Sequence, residues 1–448
     1  MISDLTKGSP ARVILIYSLP IILGNVFQQV YNFVDNIIVG RFVSYEALAG
    51  VGITNGMTFL ILGFMMGITS GLGVRTAQYF GAGDMKNVRR SIGTSIIVTA
   101  GISVILTVIA VLLAGPTLKL MGTAPEVRRY AQDYVTVIFA GLSTQAAYNL
   151  ISCILRALGD SRTPLHFLIF SSILNVGLDL MFVCNFGWGV KGAALATIIS
   201  QLASAVFCFI FAFMRYKEIR LSREDFHTSR DYIWEHLSIG LPMAFQFSIT
   251  ALGIIFLNAA LASFPAPYIA GFSAASRTIS LGNLVPVSFG VAMANYAGQN
   301  FGAGKMGRVR QGVRATCLMS LAVCVVVSLS MVLFAHPLTS LFLDPGAQEN
   351  AADIFEASRR YLTVSAEFFP FLFMIFIFRN ALQGIGKTFW PLMAGFGELF
   401  IRGVISFILP KYFGYSGVIY VDCMSWVTAC LILSISYYFI VMRRKAVS

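Results

Sequence analysis

Twelve mostly apolar stretches, each at least as long as the about 20 residues a helix needs to cross a bilayer, set the limits on this chain. They run 13–39, 47–78, 92–114, 130–155, 164–185, 190–214, 237–262, 268–298, 312–334, 361–383, 390–410 and 416–441, with short charged or Gly/Pro-rich breaks between them. In lipid such spans are helices, because every backbone N–H and C=O has to find its partner inside the segment. A soluble fold does not fit: hydrophobic residues are 57% of the chain and charged residues only 12%, against about 25% charged in an average soluble domain. The expectation is an all-α membrane protein of 12 transmembrane helices.

The net charge of +12 does not indicate nucleic acid. That would need a basic face on a soluble domain, and here the basic residues sit between apolar runs. Counted over alternate loops, 21 Lys and Arg fall on one side and 8 on the other. The positive-inside rule then places both termini in the cytoplasm. The seven Cys (153, 184, 208, 317, 324, 423 and 430) lie almost all inside apolar runs, without metal spacing, and read as small buried residues. No small-residue cleavage site accompanies the first apolar run, so no removable signal peptide is expected.

The chain repeats itself. QYFGAGDMKNVRR at 78–90 matches QNFGAGKMGRVRQ at 299–311 in eight of thirteen positions, at an offset of 221. Gly159, Arg162 and Thr163 echo Gly384, Lys387 and Thr388 at 225, and Leu19-Pro20 echoes Leu241-Pro242 at 222. Echoes in one order at nearly one offset mean duplication of a whole half. Six spans per half is an even number, so both halves enter the membrane from the same side. They form two six-helix bundles related by a pseudo-two-fold axis along the membrane normal. The expected domains are an N-terminal lobe 1–214, a cytoplasmic linker 215–236 and a C-terminal lobe 237–448. Tandem halves around a midplane cavity favour a transporter over a channel or a structural bundle.

Ionisable residues at bilayer depth cost several kcal/mol on most estimates and are functional candidates by default. Span 1 carries Asp35, with Gln28 and Asn32 on the same helix face. Span 5 carries Asn175 and Asp179, four apart, and span 6 carries Thr197 in the small-residue run GAALATIIS. Two carboxylates close together away from bulk water do not both ionise readily. Such a pair can hold a proton, or with the Asn and Thr oxygens ligate a sodium ion. The plain alternative is that the two acids only join neighbouring helices, which a neutral Asn would do at lower cost. The second half does not copy this set: Asp35 falls opposite Leu257, Asn175 and Asp179 near Arg402 and Ser406, and Thr197 opposite Asp422. It carries Glu367, Glu398, Arg402 and Asp422 instead. Glu398 and Arg402, four apart, suit an ion pair. A Glu398–Arg402–Asp422 network reads as structural, with a substrate-facing or gating role as the other reading, and Glu367 fits either. Arg75 and Arg277, in spans 2 and 8, snorkel or pair with a carboxylate. His166, His227, His236 and His336 show no ligand spacing. No P-loop, HExxH or GxSxG occurs, so neither ATP hydrolysis nor another enzymatic activity is expected.

Taken together, QQVYNFVDNIIVGRFVSYEALAGVG in span 1, the paired QYFGAGD and QNFGAGK loops, LRALGDSRTP after span 4 and the duplicated halves resemble the MATE (multidrug and toxic compound extrusion) transporters over essentially the whole chain, and within them the bacterial DinF-like branch. The resemblance implies a cation site in the first lobe at Asp35, Asn175, Asp179 and Thr197, with Ala193 in the same cluster. A NorM-like Glu in span 7 is replaced here by Gln246, which puts a second-lobe cation site in doubt. It further implies export of amphipathic, mainly cationic, organic compounds in exchange for protons or sodium. No cofactor beyond that ion is expected, and the protein is expected to act as a monomer in the plasma or inner membrane. The runner-up is a lipid-linked precursor flippase of the same superfamily, which would need a large basic cavity. Arg75, Arg277 and Arg402 are its best support.

Overall fold

The computed structural model describes residues 4–342 and 351–443, and the statements below concern these. Arg444 and Lys445, included in the charge count, lie outside them. The described residues are almost entirely helical. The first half holds α1 (Pro10–Phe42), α2 (Tyr45–Gly81), α3 (Met85–Leu120), α4 (Pro125–Ala140), α5 (Leu142–Ala157), α6 (Arg162–Asp179) and α7 (Gly189–Arg215). The second holds α8 (Arg230–Leu261), α9 (Ala266–Gly282), α10 (Leu284–Gly302), α11 (Met306–Leu333), α12 (Ala335–Ser340), α13 (Ala351–Gly384), α14 (Phe389–Val404), α15 (Leu409–Phe413) and α16 (Tyr415–Tyr437).

Nine helices among the described residues are long and apolar enough to cross a membrane, and a tenth span is the bent pair α4 and α5. The pair turns by 49° at Gly141, where a Cβ would run into Ile198. The two remaining expected spans are broken for visible reasons. Residues 268–298 divide into α9 and α10 at Asn283, between Gly282 and Pro286. Residues 390–410 end α14 early, in a 3-10 turn at Ile405–Phe407 before Pro410. One equivalent pair of the repeat, α3 and α11, treats lipid alike. Only 22% of the apolar window of α3 and of α11 is buried, against 50% for α2 and α13. Ile105 and Leu112 on α3, and Val326 and Leu329 on α11, are exposed. A row of large aliphatic groups facing outward on both helices is what a lipid solvent permits and water does not.

The repeat is visible atom by atom. Each QxFGAG loop ends a helix with a glycine in the left-handed region, Gly83 at φ 75° and Gly304 at φ 72°. In each, the Ala N–H bonds back to the Gln carbonyl and the second Gly N–H to the Phe carbonyl, all at 3.0 Å. The copies then diverge. Asp84 caps α3 by accepting the Asn87 N–H, and Lys305 at the same place gives α11 no side-chain cap. The second echo shifts by two residues. α5 and α13 both close through a left-handed glycine, and these are Gly159 and Gly386, so the structural offset there is 227. Gly384, the last residue of α13, lies against the Ala294 carbonyl. The prolines of the third echo, Pro20 and Pro242, both sit inside the long first helix of their half.

By packing, the chain forms two compact units. Among the described residues, one draws on 1–7, 16–248 and 298–304, the other on 8–15, 249–297 and 305–448. In the first, α2 packs on α3, α4 and α5, and α6 and α7 pack together. One of its cores joins Ile68, Leu72, Val88, Ile92, Leu155 and Leu158. In the second, α13 is central, packing on α9, α11 and α16.

The expected linker, 215–236, is ordered against the first unit. Ile219 joins that core, and a 3-10 turn at Arg223–Phe226 carries a Ser222/Asp225 capping box. The Asp225 carbonyl lies so close to α3 that only Gly93 fits beneath it. Asp160 ties the corner together. Its carboxylate accepts the N–H groups of Arg162 (3.0 Å) and Thr163 (3.1 Å), the Thr163 hydroxyl (2.6 Å) and the Tyr216 hydroxyl (2.5 Å). Burial alone would push this carboxyl up, but the bonds from Thr163 and Tyr216 outweigh it and hold it below its ordinary value. Stability from a depressed carboxyl is complete above the unfolded value, about pH 4, and is lost as pH falls through the lower folded value. Asp160→Asn is expected to cost about 1–3 kcal/mol near neutral pH. Thermal unfolding in detergent checks this, and an unchanged midpoint would refute it.

Candidate functional site

α1, α6 and α7 gather four of the expected residues in the first unit. Asp35, Asn175 and Asp179 are buried, Asp179 completely, and Thr197 is half-buried beside them. The Asp35 and Asp179 carboxyls face each other within hydrogen-bonding reach. Asn175 links the pair to α7. With its amide nitrogen on Asp179 Oδ2 (3.2 Å), its oxygen accepts the Thr197 backbone N–H (3.3 Å). The reverse orientation leaves a single long bond, 3.4 Å, to Thr197 Oγ1. The Thr197 hydroxyl donates to the Ala193 carbonyl at 3.2 Å. One oxygen of each acid, Asp35 Oδ1 and Asp179 Oδ1, is buried without a donor among the described residues. Buried polar atoms are seldom left so, and here two of them lie in one cluster.

Local sequence explains the approach. Ala193, Ala194 and Ala196 are fully buried, and Gly192 admits the Phe182 side chain where a Cβ would sit at 3.0 Å. Small residues of this kind let helices come close in a membrane. Immediately after Asp179 the helix widens into a π-helical segment, Leu180–Asn185. Such widening is frequent at functional positions because it redirects side chains without ending the helix.

Sequence reasoning missed three neighbours. Tyr31 lies against Thr197 and Gln201, and Tyr134 of α4 lies near both acids. Tyr31 is four residues before Asp35 and Gln201 four after Thr197, so helical spacing could have found them. Nothing in the sequence pairs Tyr134 with Asp35. Gln28 and Asn32 share the face of Asp35 by spacing but are exposed, outside the buried cluster.

The second unit holds a buried charge lattice. Arg402 donates to Asp422 Oδ1 from Nε (3.1 Å) and Nη2 (2.7 Å), and to Glu398 Oε2 from Nη1 (3.3 Å). Tyr361 donates to Asp422 Oδ2 at 2.7 Å, and Arg379 donates to Glu398 Oε1. Arg379, counted among the loop cations in the sequence, is instead buried in α13, because Glu398 neutralises it there. Glu367 and Arg277 are exposed, apart from the lattice, and Gln246 is buried in α8. Arg75 pairs with Glu235 at 2.7 Å and donates to Gln78 at 2.8 Å.

Comparison with known proteins agrees with this architecture. The MatE family profile matches residues 20–181 and again 242–408, once in each half. The chain is 27% identical to "Probable multidrug resistance protein YpnP" of Bacillus subtilis (strain 168), covering 91% of this chain and 88% of that protein. It is 28% identical to "Probable multidrug resistance protein NorM" of Thermotoga maritima, covering 88% and 85%. A solved MOP superfamily transporter from Pyrococcus furiosus superposes with a TM-score of 0.90 at 23% identity, covering 98% of this chain and 97% of that one, and so shares the fold. With the family profile matched twice and nearly three-quarters of the chain accounted for, the protein belongs to the MatE family of multi-pass membrane transporters.

Proposed function

We propose that this protein is a proton- or sodium-coupled antiporter that exports amphipathic, mainly cationic, organic compounds by alternating access. The observation carrying the reading is the pair of donorless oxygens on Asp35 and Asp179. A transporter needs a buried site whose charge changes with ion occupancy, and an ion shifts a conformational equilibrium only by its differential affinity for the two states. In this reading a proton between the carboxyls satisfies both orphaned oxygens. A sodium ion does the same, with the Asn175 amide oxygen, the Thr197 hydroxyl and the Ala193 carbonyl as further ligands. Hard oxygen ligands suit such a cation. Loading lowers the negative charge of the site by one, lets α1, α6 and α7 repack, and releases the drug. Relatives named as multidrug resistance proteins support the substrate class. The protein then works as a monomer in the plasma or inner membrane, with no cofactor other than the coupling ion and with both termini cytoplasmic, in keeping with its basic loops.

Flippase activity is not favoured. Of the three arginines that would serve a basic cavity, Arg75 is neutralised by Glu235 and Arg402 by Glu398 and Asp422. Efflux of a fluorescent organic cation from vesicles, under pH and sodium gradients imposed one at a time, tests the reading. One gradient should drive efflux and its collapse should stop it. Efflux indifferent to both gradients would overturn the antiport assignment.

A further inference from the structure

The duplicated loops pack on each other reciprocally. A Cβ on Gly81 would fall on the carbonyl of Gln299, and a Cβ on Gly302 would fall on the carbonyl of Gln78. Gly81 and Gly302 are the same residue of the repeat, as are Gln78 and Gln299. Each copy therefore inserts its glutamine backbone into the notch made by the other's glycine. Nearby, α2 and α8 also approach backbone to backbone: a Cβ on Gly67 would meet Ala244, and one on Gly71 would meet Gly240.

A second, independent feature closes over this contact. Leu5 is fully buried, and so are Gln299 and Asn300. The Leu5 N–H donates to Gln299 Oε1 (3.0 Å) and its carbonyl accepts from Asn300 Nδ2 (3.1 Å). Gln299 Nε2 donates to the Ala157 carbonyl at the end of α5 (2.8 Å). One glutamine thus joins the N-terminal arm, the second-half loop and the end of a first-half helix.

We propose that the two QxFGAG loops form a self-complementary seal on the basic side of the protein, latched by the arm around Leu5, and that this seal parts in each transport cycle. The inference rests on the transport reading above. It gives the repeat a purpose that topology alone does not: a duplicated half supplies two copies of a notch and ridge that fit each other. It also accounts for buried amide side chains where apolar ones would pack as well. Hydrogen bonds to backbone can be exchanged for water on opening, whereas a dry apolar plug would resist it.

The test uses the full chain reconstituted in vesicles, read by amide hydrogen exchange and by dye efflux. Gly81→Ala and Gly302→Ala should each raise exchange in residues 4–7 and 299–304 about tenfold and lower efflux by a similar factor, since an added methyl at a backbone contact forces the two apart. Gly307→Ala, in the next helix with open space around it, should change neither. Gln299→Leu should free the Leu5 amide without adding bulk at the notch, and it carries the test if a glycine variant does not fold. Unchanged exchange in both glycine variants would overturn the seal. Raised exchange with undiminished efflux would leave a static contact and overturn the gate. Exchange needs no transported compound, so a wild-type protein that moves no dye would count against the transport reading alone.

Discussion

Asp35→Asn is expected to abolish gradient-driven efflux while leaving the protein folded, inserted and at least as stable as the wild type. The two halves of that result have one cause. Asp35 Oδ1 is buried without a donor among the described residues, and so is Asp179 Oδ1. In the proposed coupling role, a group that exchanges an ion is left unsatisfied when the ion leaves, and the fold bears the cost. An Asn at position 35 keeps the shape, removes the charge and supplies a donor toward Asp179. The relief should be about 1–3 kcal/mol, a gain in stability bought by loss of function, as is common at strained sites. A purely helix-joining Asp35 predicts transport retained, because a neutral Asn joins the helices equally well. Vesicle efflux and thermal unfolding on the same preparation separate the two. Wild-type efflux from the Asn variant would sink the coupling assignment. Asp179→Asn should behave alike, with a smaller gain in stability, because Asp179 already receives the Asn175 amide.

The cluster around Asp35 was legible in the sequence because membrane burial makes polar residues conspicuous. Asp35, Asn175, Asp179 and Thr197 are polar groups inside apolar helices, and helical spacing assigns each a face. Spacing fails where exposure is decided by the neighbouring helix. Gln28 shares the face of Asp35 but is exposed, and Tyr134 belongs to another helix. Helix breaks were hidden for a similar reason. Hydropathy reads 268–298 as one run, although Asn283 and Pro286 end one helix and start the next. Arg379 shows a third failure. A cation near the end of an apolar run looks like a loop residue until its carboxylate partner, on a different helix, is known.

The charge lattice of the second unit should respond to substitution in the opposite sense from Asp35. Arg379 and Arg402 balance Glu398 and Asp422, and all four are buried. Gly253 leaves room for the Arg402 stem, since a Cβ there would lie 3.1 Å from Arg402 Cδ. Tyr361, stacked on Phe272 with ring centres 4.3 Å apart, holds the far oxygen of Asp422. Arg402→Met removes three donated bonds at once and leaves one uncompensated negative charge between α14 and α16. Breaking a buried pair in this way costs about 3–5 kcal/mol, enough to remove most of the folded protein from the membrane. Making all four positions neutral and apolar together should restore much of that loss, because desolvation no longer has to be offset. The restored variant then decides what the lattice is for. If it is only structural, dye efflux returns with the fold. If its charges move with the transport cycle, the folded variant stays inactive. An Arg402→Met protein as stable as the wild type would mean that the four charges are not a closed lattice at all.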